Sequence, residues 1–305
     1  MERYIKRVFS SINRAMSMSI GMIRWKFILM IPLLVVFMVF TGCPTPDGSN
    51  GEPGEPGLIW HIDAVDTDAW TYTSIALDDS GYPYISYGAA GQGGVKFVRW
   101  TGSAWDGMDA SAGPDTVDTE GGSDTSIALD DNGYPHISYY AGGVSGGLKY
   151  THWTGSAWDG LDASVGPDMV DHTDNFVGYD NSIALDTSGY PHISYYDSWN
   201  SALKYARWTG SNWDGLDAST GPDFLDVSGA VGKYTSIALD DNGYPHISYS
   251  YFDATNYDLK YVRWTGSAWD GLTSSNPDTV DTSGNVGIYT SIALDDNGYP
   301  HISYF

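Results

Sequence analysis

A single cysteine, Cys43, stands in a chain of 305 residues. One thiol cannot build a disulfide framework or a multi-cysteine metal site. Cations are also scarce: 14 Lys and Arg face 38 Asp and Glu, a formal charge of −24. A nucleic-acid backbone needs clustered Lys and Arg, so that class of partner is excluded. Glutamate nearly vanishes beyond residue 57, where Glu120 alone remains. That weakens any glycosidase built on two glutamates. No window carries the 3.6-residue apolar period of a helix. No G-x-S-x-G, H-E-x-x-H, phosphate-loop or dinucleotide fingerprint occurs either.

What is present suits a packed core: 42% of residues are hydrophobic and 14% aromatic, including 23 tyrosines. The cations are unevenly placed. Six of them (Arg3, Lys6, Arg7, Arg14, Arg24 and Lys26) precede the apolar run Phe27–Phe40, FILMIPLLVVFMVF. Fourteen residues are short for a membrane span and match the core of a signal peptide, with an uncleaved short anchor as the alternative. Thr41-Gly42-Cys43 follows, and here the chain resembles bacterial lipoprotein signals, departing from them at Phe40, where that pattern usually has Leu. The resemblance implies that Cys43 is lipidated as the first mature residue. It places the protein in the cell envelope, at the outer membrane or surface of a bacterium. Met22 offers a compact alternative start. Pro44–Gly57, rich in Pro, Gly and acid, reads as a flexible tether. The expected organisation is signal and lipidation site over 1–43, tether over 44–57 and a folded domain over 58–305.

That domain is repetitive. SIALDDNGYPHISY occupies Ser126–Tyr139 and returns at Ser236–Tyr249 and Ser291–Tyr304, with edits at Ser74–Tyr87 and Ser182–Tyr195. Its turn glycines, Gly81, Gly133, Gly189, Gly243 and Gly298, lie 52 to 56 residues apart. Between copies come LKYARWTGSNWDG (Leu203–Gly215) and its relatives, then a short PDxxD piece such as Pro222–Asp226. SIALD alternates with a period of two, DNG supplies a turn, and Pro opens the return strand. LKYARW is a third strand, and TGSNW turns into a fourth. Four short strands per unit of this length is the mark of an all-β, five-bladed β-propeller. A linear β-solenoid is the runner-up. Leu58–Asp66 reads as a fourth strand placed ahead of the first unit, so the N-terminal strand is expected to complete the last blade. Counted this way, the fifth blade is one strand short, as a three-stranded blade or a truncated larger ring would be.

The repeats resemble those of secreted bacterial propellers and, more distantly, the Asp-box hairpins of the sialidase superfamily and the blades of propeller lectins. Asp131-x-Gly133 keeps the Asp-x-Gly turn of an Asp box, without the preceding Ser or the following Thr-Trp. The resemblance implies architecture more than activity, because such blades carry lectins, hydrolases and scaffolds.

Repetition also argues against chemistry at the repeated residues. His136, His192, His246 and His301, with Tyr84 in the first copy, occupy equivalent places that diverge around a ring, so they are expected to bond within or between blades. Arg99, Arg207 and Arg263 should radiate likewise, rather than converge as a sialidase-like arginine triad would. Seven of the eight cations after the tether lie on third strands and should balance nearby aspartates. Of the tryptophan pairs, Trp100, Trp153, Trp208 and Trp264 are expected in the core. Trp105, Trp158, Trp213 and Trp269 follow the turn and are candidates for stacking a sugar at an exposed rim. Asp130-Asp131-Asn132 offers oxygens of the kind Ca²⁺ takes, but its spacing departs from the D-x-[DN]-x-[DN]-G loop, so turn formation is expected and no cofactor is assigned.

Unique function belongs where the copies differ: Gly88–Gly94, Ala141–Gly147, His172–Tyr179, Asp197–Ser201 and Tyr251–Asp258. Trp70, Trp199, Phe252 and Tyr257, in or beside these inserts, are the ligand-binding candidates. The expected function is a monomeric, surface-anchored module that binds carbohydrate or protein without catalysis. A structural scaffold is the alternative, and so is a glycan hydrolase or lyase drawing an acid pair from Asp174 or Asp197 with Asp253.

Overall fold

The computed structural model describes residues 36–40 and 60–305, apart from 92, 110, 144–145, 174–175, 218 and 273–276. Cys43 and the tether lie outside the described residues, as does Asp174. Every described element is a β-strand. β1 (Val36–Phe40) pairs antiparallel with β2 (Trp60–Ala64). The first blade runs β3 (Ala69–Leu77), β4 (Pro83–Ala89), β5 (Val95–Trp100), then a fourth strand in two pieces, β6 (Trp105–Asp106) and β7 (Asp115–Asp118). The second comprises β8 (Ser123–Leu129), β9 (Pro135–Ala141), β10 (Gly147–Trp153), β11 (Trp158–Asp159) and β12 (Asp168–Asp171). The third comprises β13 (Val177–Leu185), β14 (Pro191–Asp197), β15 (Ala202–Trp208), β16 (Trp213–Asp214) and β17 (Asp223–Asp226). The fourth comprises β18 (Ala230–Leu239), β19 (Pro245–Phe252), β20 (Tyr257–Trp264), β21 (Trp269–Asp270) and β22 (Asp278–Asp281). β23 (Ser291–Leu294) and β24 (Pro300–Ser303) begin a fifth. The domain is a β-propeller of four complete blades and two strands of a fifth.

Local chemistry sets each blade. Asp130 Oδ1 accepts the N–H groups of Asn132 (2.9 Å) and Tyr134 (2.8 Å), and Gly133 takes φ +73°, which together close the hairpin between first and second strands. The fourth strand breaks in two because a loop intervenes. Asp106 Oδ1 accepts Gly113 N–H at 2.8 Å across it, while Asp115 Oδ2 accepts Met108 N–H at 2.7 Å.

The core lies between blades. Tyr84, Val95, Phe97 and Val117 of the first blade pack on Ile127, Ile137 and Tyr139 of the second, and the next two seams repeat this. A polar fastening crosses each seam as well. Asp171, on the fourth strand of the second blade, accepts Tyr195 OH and Lys204 Nζ of the third. Asp118 does the same for Tyr139 and Lys149, and Asp226 for Tyr249 and Lys260. The lysines therefore do balance aspartates, whereas Arg99 and Arg207 donate to the carbonyls of Gly107 and Gly215.

Residues 60–66 behave as a fourth strand facing the first blade. Asp66 accepts Tyr87 OH at 2.7 Å and Lys96 Nζ at 3.0 Å, and Asp63 accepts Trp105 Nε1 at 3.3 Å. The expected completion of the last blade by this strand is not formed: β2 pairs with β1, and β23–β24 stand as a separate two-stranded sheet. Asp281 holds Tyr304 OH and, among the described residues, no lysine, and Ile75 is 53% exposed where Ile127, Ile183 and Ile237 are buried.

Candidate functional site

Antiparallel pairing brings the start of each first strand, the end of the second and the start of the third to one end of the blade, as Val177↔Asp197 and Asp197↔Ala202 show. All the unrepeated inserts lie at that end, on one face of the disk.

On the same face a second feature repeats. Each first strand carries a bulge, with register shifts between Thr71 and Thr73, Ser123 and Ser126, Tyr179 and Ser182, and Lys233 and Ser236. The residue set off by each bulge has left-handed backbone: Tyr72 (φ 54°), Asp124 (50°), Asp180 (48°) and Tyr234 (53°), with Tyr289 (54°) in the corresponding place ahead of β23. Non-glycine residues rarely adopt this conformation, and bulges re-aim side chains. The next blade holds the strained peptide. Thr125 Oγ1 donates to Tyr72 O at 3.2 Å, Asn181 Nδ2 to Asp124 O, and Thr290 Oγ1 to Tyr234 O at 2.8 Å.

All five side chains line one cavity of about 650 Å³, within the range of ligand sites. Lys233, Tyr196 and Ser198 complete its wall. Asp124 is buried; Ser123 Oγ donates to its Oδ2 at 2.7 Å and Asp180 N–H to its Oδ1 at 3.3 Å. Burial raises the Asp124 carboxyl above its usual range. Asp180 is pushed up to about 6, first by burial and then by the neighbouring Asp124 charge, against the opposing pull of Tyr234 N–H and Lys233. Burial, then Tyr289, pushes the Tyr234 phenol to about 12. Tyr72 is raised as well, most by Asp124.

The ring residues were not among the candidates read from the sequence. Their signal is present two residues before each SIAL, where the copies read Tyr72, Asp124, Asp180, Tyr234 and Tyr289. It is easily passed over because the residue after it is Thr in four copies and Asn in one. Lys233 had a signal too, as the one cation of the domain off the third strands.

The sequence candidates are distributed as follows. Trp199 is 70% exposed, and its ring lies parallel to that of Phe176 with centroids 6.2 Å apart. Two different inserts of the third blade build this pair, and the neighbouring Ser198 lines the cavity. Phe252 and Tyr257 face each other across β19 and β20 at 4.9 Å. Trp70 lies on β3, and its side chain is outside the described residues.

Trp105, Trp158, Trp213 and Trp269 are half-buried at the opposite end of the blades and turned into the seams. Their indole N–H groups reach the preceding fourth strand, for example Trp158 to Asp115 (2.9 Å) and Trp213 to Asp168 (2.9 Å). Seam fastening replaces the exposed rim position expected for them.

Of the acids expected for an enzymic pair, Asp174 lies outside the described residues, and Asp197 and Asp253 each accept the N–H groups of their own turns, Trp199 and Asn200 for the first, Thr255 and Asn256 for the second. The buried histidines stay within their blades, as expected. His136, His192 and His246 each share a 2.6 Å hydrogen bond with a third-strand tyrosine, and burial lowers His136 to about 4, keeping it neutral.

No model of a known protein family matches the chain, and a search of curated proteins finds no match. Solved structures show the same fold. A protein of unknown function from Dyadobacter fermentans superposes with a TM-score of 0.52 at 10% identity, covering 77% of this chain and 75% of that one. A polysaccharide lyase described as an ulvan lyase gives 0.50 at 15% identity, covering 78% and 67%.

Proposed function

We propose that the protein is a lipid-anchored surface module that binds carbohydrate at the axial cavity and its aromatic rim, without catalysis. The observation that carries this is Trp199, exposed and ring-parallel with Phe176 beside a cavity of hydroxyl and carboxylate groups. A pyranose offers an apolar face and a polar edge, and this pairing of flat rings with hydrogen-bonding groups complements both. A propeller of similar fold acting on a polysaccharide is consistent with the reading. A glycan array with the full chain tests it. Saturable binding lost in Trp199→Ala supports it, and binding unchanged in that variant refutes it.

A second reading, a glycan hydrolase or lyase, draws on Asp180 alone, whose carboxyl near 6 suits a general acid. Release of sugar fragments by the parent, abolished in Asp180→Asn, would favour that reading over simple binding.

The anchor assigned to Cys43 rests on its sequence context. Labelled palmitate should enter the chain and be lost in Cys43→Ala; label persisting in that variant removes the anchor.

A further inference from the structure

We propose that the axial cavity selects a ligand bearing a positively charged nitrogen, an amino sugar in place of an acetylated, uronic or sulfated one. This rests on the carbohydrate reading and names the ligand's charge.

Residues 58–305 hold 34 of the 38 acids and eight of the 14 cations. Four lysines, Lys96, Lys149, Lys204 and Lys260, are bound to seam aspartates within 3.0 Å. Asp124 and Asp180 have no such partner: among the described residues, no Lys, Arg or His nitrogen lies within 4.0 Å of either carboxylate. The seam carboxylates are compensated: Asp118, Asp171 and Asp226 by a lysine, and Asp115, Asp168 and Asp223 by an indole N–H together with backbone N–H. Asp124 and Asp180, at neighbouring ring positions, instead line a cavity open to solvent.

The remaining wall suits a cation as well. Tyr72, Tyr179, Tyr196, Tyr234 and Tyr289 line the cavity, and an ammonium is attracted to such rings. The molecule already makes one contact of this kind there, with Lys233 Nζ 5.5 Å from the centroid of Tyr196. Two carboxylates among phenols are too few for Ca²⁺, which takes six to eight oxygens, and a cavity of about 650 Å³ far exceeds a bare ion. An organic cation fits both limits. Uronic or sulfated sugars would meet Asp124, Asp180 and the anionic body with only Lys233 in their favour.

Titration calorimetry on the full chain at neutral pH decides it, with hexamers of glucosamine and of N-acetylglucosamine as probes. The glucosamine hexamer is expected to bind roughly 10-fold tighter, the value of one desolvated cation–π and charge contact. Asp124→Asn should erase the preference, bringing the two hexamers to equal affinity. Lys233→Gln, which removes the competing cation, should enlarge it; this variant moves affinity in the opposite direction and so guards against a folding artefact. Equal affinities in the parent, or tighter binding of the acetylated hexamer, overturn the amine assignment and leave the carbohydrate reading intact. Failure of both hexamers and of every arrayed glycan overturns that reading too. A preference that survives in Asp124→Asn/Asp180→Asn and disappears at about 0.5 M salt assigns it to the charge of the whole body, and overturns the cavity's role.

Discussion

Replacing Lys204 by methionine tests whether the seams are held by compensated buried charge. Lys204 and Asp171 are each 1% exposed, and Tyr195, which also donates to Asp171, is fully buried. Burial by itself would raise the Asp171 carboxyl; the Lys204 charge and hydrogen bond hold it below its usual range. Methionine keeps most of the volume and removes the charge. The Asp171 carboxylate is then left in the seam with Tyr195 OH and the N–H and hydroxyl of Thr173. Breaking a buried pair in this way costs about 3–5 kcal/mol. For a domain of this size that lowers Tm by roughly 6–20 °C. Lys96 makes the same bond to Asp66 at the first seam, but the two side chains are 20% and 12% exposed, so water can solvate the orphaned carboxylate. Lys96→Met should therefore cost only about 1 kcal/mol. Urea titrations followed by far-UV circular dichroism and tryptophan fluorescence measure both. The Lys204→Met deficit should shrink as pH falls toward 4 and Asp171 takes a proton. Asp171→Asn added to Lys204→Met should restore part of the loss. Equal destabilisation by the two lysine variants, or a double variant no more stable than Lys204→Met, would show that an uncompensated Asp171 charge is not what the seam loses.

Trp213→Phe keeps the ring but removes the N–H given to Asp168, and should cost about 1–3 kcal/mol in the same titration; an unchanged midpoint would show that the indole only fills space. Asp180→Asn carries a signed pH signature. Its folded carboxyl near 6 lies above the ordinary aspartate value of 3.8, so the native state binds the extra proton between those values and loses stability as pH rises through them. The asparagine variant should match the parent near pH 4 and exceed it at pH 8 by on the order of 1–3 kcal/mol. A difference independent of pH would show that Asp180 does not titrate in that window.

The blade was legible because each of its elements is specified locally. Asp130, Asn132 and Gly133 make a turn whatever surrounds them, alternation in SIAL chooses a strand, and Pro135 can open a strand because it owes no donor to the ladder there. The structural role of His136, bonding within or between blades, followed from repetition alone. The tryptophans after the turn were harder. Their type suits either a sugar or a seam, and the deciding partner of Trp213, Asp168, lies 45 residues earlier on another blade.

Sequence by itself therefore determined the strands, their order within a blade and the number of repeats, since all of these depend on neighbours within one unit. Tertiary structure alone decided the site. Tyr72, Asp124, Asp180, Tyr234 and Tyr289 lie more than 50 residues apart, and they meet only because a bulge in each first strand turns one side chain toward a cavity that they jointly line.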